Sequence, residues 1–201
     1  EILTLIGHSE KVLVMRVFLS VLVLIFSLQS WVKADDIREL EIEGMSINQS
    51  LLSFMSEDEI KESSGWWYDK KYTQVLIIKD NFIQYDNLVV SFKTGDKDFL
   101  IKSVIGYTEF KNINDCHEMQ NEIDEDFKEI FKESNRRIDI IKYRDSGNSS
   151  TKQIVYDLLS GSVVIDCIDW DQSFSETSDR SDWLNVAIDE KEYRDWLISS
   201  S

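Results

Sequence analysis

Six carboxylates surround one tryptophan, Trp170, late in the chain, and they are the first residues that could do chemistry. Two carboxylates on either side of a bond can act as a general acid and a base or nucleophile, as in glycoside hydrolysis. Carboxylates also bind calcium, but here Phe174 takes the place of the Gly that the EF-hand loop requires, and Arg180 that of its bidentate Glu. We therefore predict no metal site. A solvated acidic loop competes with the hydrolase interpretation. The six are Asp166, Asp169, Asp171, Glu176, Asp179 and Asp182.

An aromatic cluster follows a glycine in the segment Ser64-Gly-Trp-Trp-Tyr68. Tryptophan and tyrosine dominate the hot spots of binding surfaces because they bury a large area and keep a polar group. We therefore assign Trp66, Trp67 and Tyr68 as the predicted binding residues, for a protein or a small-molecule ligand. The alternative is that these side chains cover the core or a sheet edge, which aromatic residues do more often.

The chain contains two cysteines, Cys116 and Cys167. When an exported protein has only two cysteines, the simplest expectation is that they form a disulfide with each other. Closing a loop of about 50 residues should contribute on the order of 4 kcal/mol in the chain-entropy model. The alternative is a Cys116 nucleophile assisted by His117, but adjacent residues of a helix do not face each other. Without another histidine after the N-terminal segment, a Ser/His/Asp triad would need His117 as its base, and a zinc site built on histidines is not expected.

One long helix is clear from its spacing. Apolar side chains recur every three or four residues from Cys116 through Met119 and Ile123 to Phe131, with carboxylates on the opposite face. This pattern predicts an amphipathic helix over residues 115–134. Asp115 at its start and the basic residues after it, Arg136 among them, suit the helix dipole.

Short strands joined by hairpin signals account for most of the remaining chain. Ser56 and Glu59 have the spacing of a capping box and predict a short N-terminal helix, and Asp189 is predicted to cap a short C-terminal helix. The fold class predicted is α+β, with a mainly antiparallel sheet packed against the long amphipathic helix plus short N- and C-terminal helices. The predicted strands cover residues 72–78, 86–93, 98–110, 138–143, 151–159, 162–170 and 183–188.

The N-terminal region has the three parts of a signal peptide. Arg16 follows Met15, an apolar run occupies residues 17–28, and Val32-Lys-Ala34 places small residues at the cleavage positions. The run is shorter than the roughly 20 residues of a spanning helix, so no stable membrane anchor is expected after cleavage. We therefore expect residues 1–14 to be a non-native upstream extension, 15–34 a signal peptide, and 35–201 a single exported domain.

The chain has a formal net charge of −16. So negative a surface repels nucleic acid, whose binding needs clusters of lysine and arginine. No cofactor is predicted, because the Gly- and Ser-containing segment around Asn148 lacks the spacing of a phosphate loop.

Several short segments resemble an uncharacterised family of small exported proteins from marine alphaproteobacteria. They are residues 41–47, the segment Ser56-Glu-Asp-Glu-Ile60, Gly106, Asp115-Cys116 and Cys167-Ile-Asp-Trp170. The resemblance implies a bacterial periplasmic setting and carries over no activity and no functional residues.

These observations favour a non-catalytic domain, periplasmic or secreted, that binds a protein or small-molecule ligand. The alternative is an exported hydrolase that uses the carboxylates near Trp170. A partly buried carboxylate pair in a concave site would favour the hydrolase, and a flat apolar patch at Trp66 and Trp67 the binding domain.

Overall fold

The computed structural model describes residues 36–66, 70–143, 146–178 and 181–200. The predicted upstream extension and signal peptide lie outside the described residues. Within those ranges, none of the helices has the length and apolar character needed to cross a membrane.

One antiparallel sheet of eight strands dominates the described chain, so the predicted α+β class is confirmed. Its strands are β1 (Ser64–Trp66), β2 (Tyr72–Ile77), β3 (Asn87–Lys93), β4 (Ile101–Phe110), β5 (Asn135–Lys142), β6 (Ser150–Asp157), β7 (Gly161–Asp169) and β8 (Asp182–Glu190). The helices are α1 (Glu57–Glu62), α2 (Ile113–Ile130), α3 (Gln172–Ser178) and α4 (Lys191–Ser200), with 3-10 turns at Ile37–Glu39 and Leu51–Ser53.

The strands lie in the order β1-β2-β3-β4-β8-β7-β6-β5. The chain therefore forms two meanders of four strands each, and the last strand of one pairs with the last strand of the other. In that central pair Ser103 lies opposite Asp189, and Tyr107 lies opposite Asn185. A helix follows each meander in the chain: α2 follows β4, and α4 follows β8.

Alternate residues of the strands build an apolar face, called here the core face, which α2 and the N-terminal segment cover. Val104, Ile165 and Val186 point to this side and are almost fully buried. Helix α2 packs mainly against β7 and β8, because its apolar stripe of Cys116, Met119 and Ile123 faces them. The predicted cysteine pair lies at disulfide distance: Cys116 and Cys167 are bonded, with Cα atoms 6.0 Å apart.

The opposite side of the sheet, called here the polar face, is crossed by α4. Tyr193 and Trp196 of that helix pack on Tyr72, with ring centroids 4.9 and 4.8 Å away. The hydroxyl of Tyr193 accepts hydrogen bonds from Gln74 and Ser91, at 3.3 and 3.2 Å. The sheet is thus larger than packing against one helix implies, and a second helix covers part of its other side.

Three predicted boundaries differ from the structure by three residues or more, among them the start of β5, which lies at Asn135 and not at the predicted residue 138. The strand predicted from residue 98 begins at Ile101, because the carboxylate of Asp96 accepts the backbone N–H groups of Asp98 and Leu100 in a turn. Helix α2 ends at Ile130, so Arg136 lies in β5 rather than beyond a helix end. Its guanidinium donates two 2.7 Å hydrogen bonds to Asp124 of α2.

Shorter signals had mixed success. The predicted capping box of Ser56 and Glu59 is present at the start of α1. Strand β1 has only three residues and no strand-like alternation, and it was not predicted. Asp189, predicted as a helix cap, belongs to β8 and accepts a 2.7 Å hydrogen bond from Ser103.

Candidate binding site

A row of polar side chains crosses the polar face where β4, β8, β7 and β6 lie side by side. Strand pairing places Asn185 directly between Tyr107 and Asp166, and Asp166 opposite Gln153. Directly opposite residues of antiparallel strands point to the same side, with Cα atoms roughly 5 Å apart. Their side chains therefore form one contiguous polar row in strands that are otherwise rich in valine and isoleucine.

Helix α4 adds a cation above this row. Arg194 donates to the side-chain oxygen of Gln153 at 3.1 Å, and another guanidinium nitrogen lies 3.8 Å from Asp189. The side chain of Arg194 is 13% exposed and that of Asp189 is 3% exposed. Two carboxylates and one guanidinium thus share a poorly hydrated region, with one uncompensated negative charge when both acids are ionised.

Burial dominates the electrostatics of both acids. It raises the pKa of Asp166 to about 7, and the neighbouring Asp189 carboxylate adds to that rise, while Gln153 and Arg194 oppose it. Burial likewise raises the pKa of Asp189, against the effects of Ser103 and Arg194. Charged groups without full compensation are costly in a low-dielectric interior, so such sites are common where a protein binds or reacts with something.

Three polar atoms in this cluster have no hydrogen-bond partner among the described residues. They are one carboxylate oxygen of Asp166, the amide oxygen of Asn185 and the Nε of Arg194, and each is buried as an atom. Asn185 is only 8% exposed as a residue. Leaving a buried donor or acceptor unpaired costs roughly 1–3 kcal/mol, so atoms of this kind call for a partner. The cluster therefore offers two acceptors and one donor to a bound molecule.

An aromatic pair lies at the β4 end of the row, where Tyr107 belongs to the row itself. Tyr107 and Trp183 meet edge to face, with ring centroids 5.4 Å apart, and both are partly exposed. Asp166 and Ile168 are also partly exposed as residues. The row therefore meets solvent beside an aromatic surface, which favours cations and apolar groups.

The carboxylates predicted around Trp170 do not form one site. Asp166 points to the polar face, whereas Asp169 and Asp182 point to the core face, where their charges act on the pKa of His117. Asp171 accepts hydrogen bonds from the backbone of Ser173 and Asn148, so it fixes the turn before α3. The side chain of Glu176 and the whole of Asp179 lie outside the described residues.

The cysteine and histidine alternatives fare differently. Because Cys116 is bonded to Cys167, it has no thiol to act as a nucleophile. The pKa of His117 is lowered by burial and by Lys152, and the carboxylates of Asp169 and Asp182 partly offset this. Within the described ranges, no group of three or more His, Cys, Asp or Glu side chains could hold a metal ion.

The predicted aromatic binding residues cannot be placed. Trp66 ends β1, but its side chain and the whole of Trp67 and Tyr68 lie outside the described part of the chain.

An open depression of about 600 Å³ lies beside α4, lined in part by Lys71, Glu190 and Glu192. Its charges compensate one another, since Glu192 lies 2.7 Å from Lys93 and 3.6 Å from Lys71. Solvated pairs of this kind contribute little and point to no ligand. The depression holds one buried unpaired atom, an oxygen of Glu190, whereas the polar row brings three together, so the row is the better candidate.

Sequence reasoning missed Asn185 and Arg194 as site residues. The available signal was a polar residue inside an apolar strand, as in Val164-Ile-Asp-Cys167 and Leu184-Asn-Val-Ala187. Alternation alone tells which side such a residue faces, but not which residue of another strand lies beside it.

Comparisons of the chain with protein-family models, with curated proteins and with solved structures found no match.

Proposed function

We propose that the protein is an exported, non-catalytic binding domain whose ligand is a small amino compound, bound on the polar face. The ligand's ammonium group would lie against Asp166 and Asn185, and an acceptor oxygen of the same molecule would meet Nε of Arg194. The observation that carries the proposal is the pair of buried, unpartnered oxygens of Asp166 and Asn185 on neighbouring strands.

The charges around the row favour an ammonium ion over an anion. Asp166 and Asp189 outnumber Arg194, and the whole chain has a net charge of −16. A cation entering the site compensates the carboxylate that burial has destabilised. Rigid strands hold both acceptors in place, so little ordering of the protein is needed on binding.

The test is a titration of the protein with three matched probes: L-alanine, ethylamine and propionate. Ethylamine lacks the carboxylate of alanine, and propionate lacks its amino group. Nuclear magnetic resonance should show amide shifts in β7 and β8 with the two amino probes, strongest with alanine. Replacing Asp166 by Asn should weaken this binding at least tenfold, whereas Asp195→Asn, which removes the same charge from the exposed side of α4, should not. Shifts with propionate alone, or none with any probe, would refute the proposal.

The predicted aromatic surface needs a separate variant. Replacing both Trp66 and Trp67 by Ala should abolish capture of a protein partner, with little loss of stability, if these residues form the binding surface. If the free energy of unfolding instead falls by several kcal/mol, as expected for buried aromatics, the role of this segment is structural.

A hydrolase remains the second candidate, for one specific reason. The raised pKa of Asp166, about 7, is that of a carboxyl group suited to general acid catalysis near neutral pH. Turnover of a glycoside or ester probe that Asp166→Asn abolishes would favour this alternative over simple binding.

A further inference from the structure

Strand β5 is a long edge of the sheet that carries three isoleucines among charged residues. It pairs with β6 on one side only, over all eight of its residues and without a bulge. Three of its side chains are large, apolar and exposed: Ile138 at 49%, Ile140 at 61% and Ile141 at 43%. At about 3.3 Å per residue, its unpaired side offers roughly 26 Å of backbone to another strand.

The two edges of the sheet differ in how they are protected. At the opposite edge, β1 has only three residues, which is too short to template another strand. Natural edge strands are otherwise blunted by proline, by bulges or by charged side chains, and of these β5 has only the charged side chains. Strand β5 has no proline and no bulge, and the described residues place no further strand beside it.

We infer that β5 pairs with β5 of a second copy of this chain, antiparallel about a two-fold axis at Ile138, joining two sheets into one of sixteen strands. In this register the two Ile138 side chains meet at the axis. Arg137 of each copy lies opposite Asp139 of the other, and Ile140 lies opposite Arg136.

The positions of the charged residues favour this register over those in which the axis is shifted by one or two residues. Moving the axis by one residue to Asp139 would place the two Asp139 carboxylates opposite each other and Arg136 opposite Lys142, and like charges directly opposite are destabilising. Moving it to Ile140 would pair Asp139 with Ile141, so that no carboxylate of the other copy lies opposite Arg137, which then keeps only Asp157 and Asp139 of its own chain. With the axis at Ile138, two complementary pairs form.

Charge also favours β5 as the place where two acidic chains can meet. Two copies with a net charge of −16 repel each other over most of their surface. Strand β5 carries three basic residues and one acidic residue, so it interrupts that acidic surface.

The first test is the oligomeric state of the purified protein, measured by sedimentation equilibrium over a wide range of concentration. The wild type should form a dimer. Ile140→Lys should shift it to monomer, because the new lysine would lie opposite Arg136 of the other copy and like charges directly opposite are destabilising. Ile78→Lys, at an equally apolar site that is 70% exposed but outside β5, should remain dimeric. A wild type that stays monomeric at every concentration, or an Ile140→Lys variant that dimerises as the wild type does, would overturn the inference.

The second test fixes the register without depending on a disruptive variant. With the axis at Ile138, the Cα atoms of Ile138 in the two copies lie roughly 5 Å apart, within the reach of a disulfide. Ile138→Cys should therefore give an interchain disulfide on oxidation. Ile140→Cys should not, because the two positions are offset by four residues, or about 13 Å along the strand. Cross-linking of Ile140→Cys in preference to Ile138→Cys would overturn this pairing.

Discussion

Two aspartates of this protein, Asp124 and Asp166, show opposite pKa shifts. Asp124 accepts two hydrogen bonds from Arg136 and one of 2.6 Å from Tyr156; burial alone would raise its pKa, yet these partners lower it to about 2. Asp166 has an oxygen with no partner, and burial raises its pKa to about 7. The first carboxylate fastens α2 to the sheet. The second is ionised in the native state only at a cost to stability, as the proposed binding role requires.

The pH dependence of stability should therefore differ in sign for Asp124 and Asp166. A carboxyl whose folded pKa lies above its unfolded value of 3.8 makes the native state less stable as pH rises from about 4 to about 7. Replacing Asp166 by Asn should thus stabilise the protein by up to about 4 kcal/mol at about pH 8, and by little at about pH 4. Urea unfolding at the two pH values measures this.

Asp124→Asn is the control, because its effect on the free energy of unfolding should have the opposite sign. Its lowered pKa contributes stability above about pH 4 that is lost as pH falls towards 2. The variant should lose at least about 2 kcal/mol near neutral pH. If Asp166→Asn were instead destabilising at about pH 8, its carboxylate would be fully compensated and the binding site argument would fail.

At the scale of elements, the disulfide joins helix α2 to the core face of the sheet. Cys116 lies in the first turn of α2, and Cys167 lies in β7 near its C-terminal end. The bond thus links a helix that follows the first meander to a strand of the second, across 51 positions of sequence.

Replacing both cysteines by Ala should lower the free energy of unfolding by on the order of 4 kcal/mol, because the unfolded chain regains the entropy of that loop. Denaturant unfolding of the variant and of the oxidised wild type gives the difference, and reduced wild type provides a matched comparison. Equal stability of the variant and the oxidised wild type would contradict this expectation, as would two freely alkylated thiols in unreduced protein.

The elements that sequence predicts best are those whose signal is local. Helix α2 follows from the spacing of Cys116, Met119 and Ile123, and the capping box of Ser56 and Glu59 marks the start of α1. The site could not be predicted in the same way. Asn185 and Asp166 are neighbours only because β7 and β8 pair in one register, and Arg194 joins them only because α4 turns back across the sheet.

For the molecule as a whole, export is the prediction with the widest consequences. Expression in a bacterium should give a periplasmic protein that begins near Asp35, because residues 15–34 have the three parts of a signal peptide. N-terminal sequencing and cell fractionation measure this. A membrane-bound chain that retains residues 17–28 would show that the segment is an anchor, and a chain found in the cytoplasm would show that it is no signal.

The pairing of β4 with β8 also determines when this protein can complete its fold. Within each meander, contacts join segments close in sequence, and such contacts form early. Strand β4 finds its second partner only in residues Asp182–Glu190, more than seventy positions later. Because the chain is synthesised from its N-terminus, β4 has no partner on one side until β8 has been made. Helix α2 lacks most of its packing surface at that stage, because β7 and β8, the strands that it covers, have not yet been made. We therefore expect the pairing of β4 with β8 to be the slow step of folding, and until it forms the free side of β4 is open to other chains.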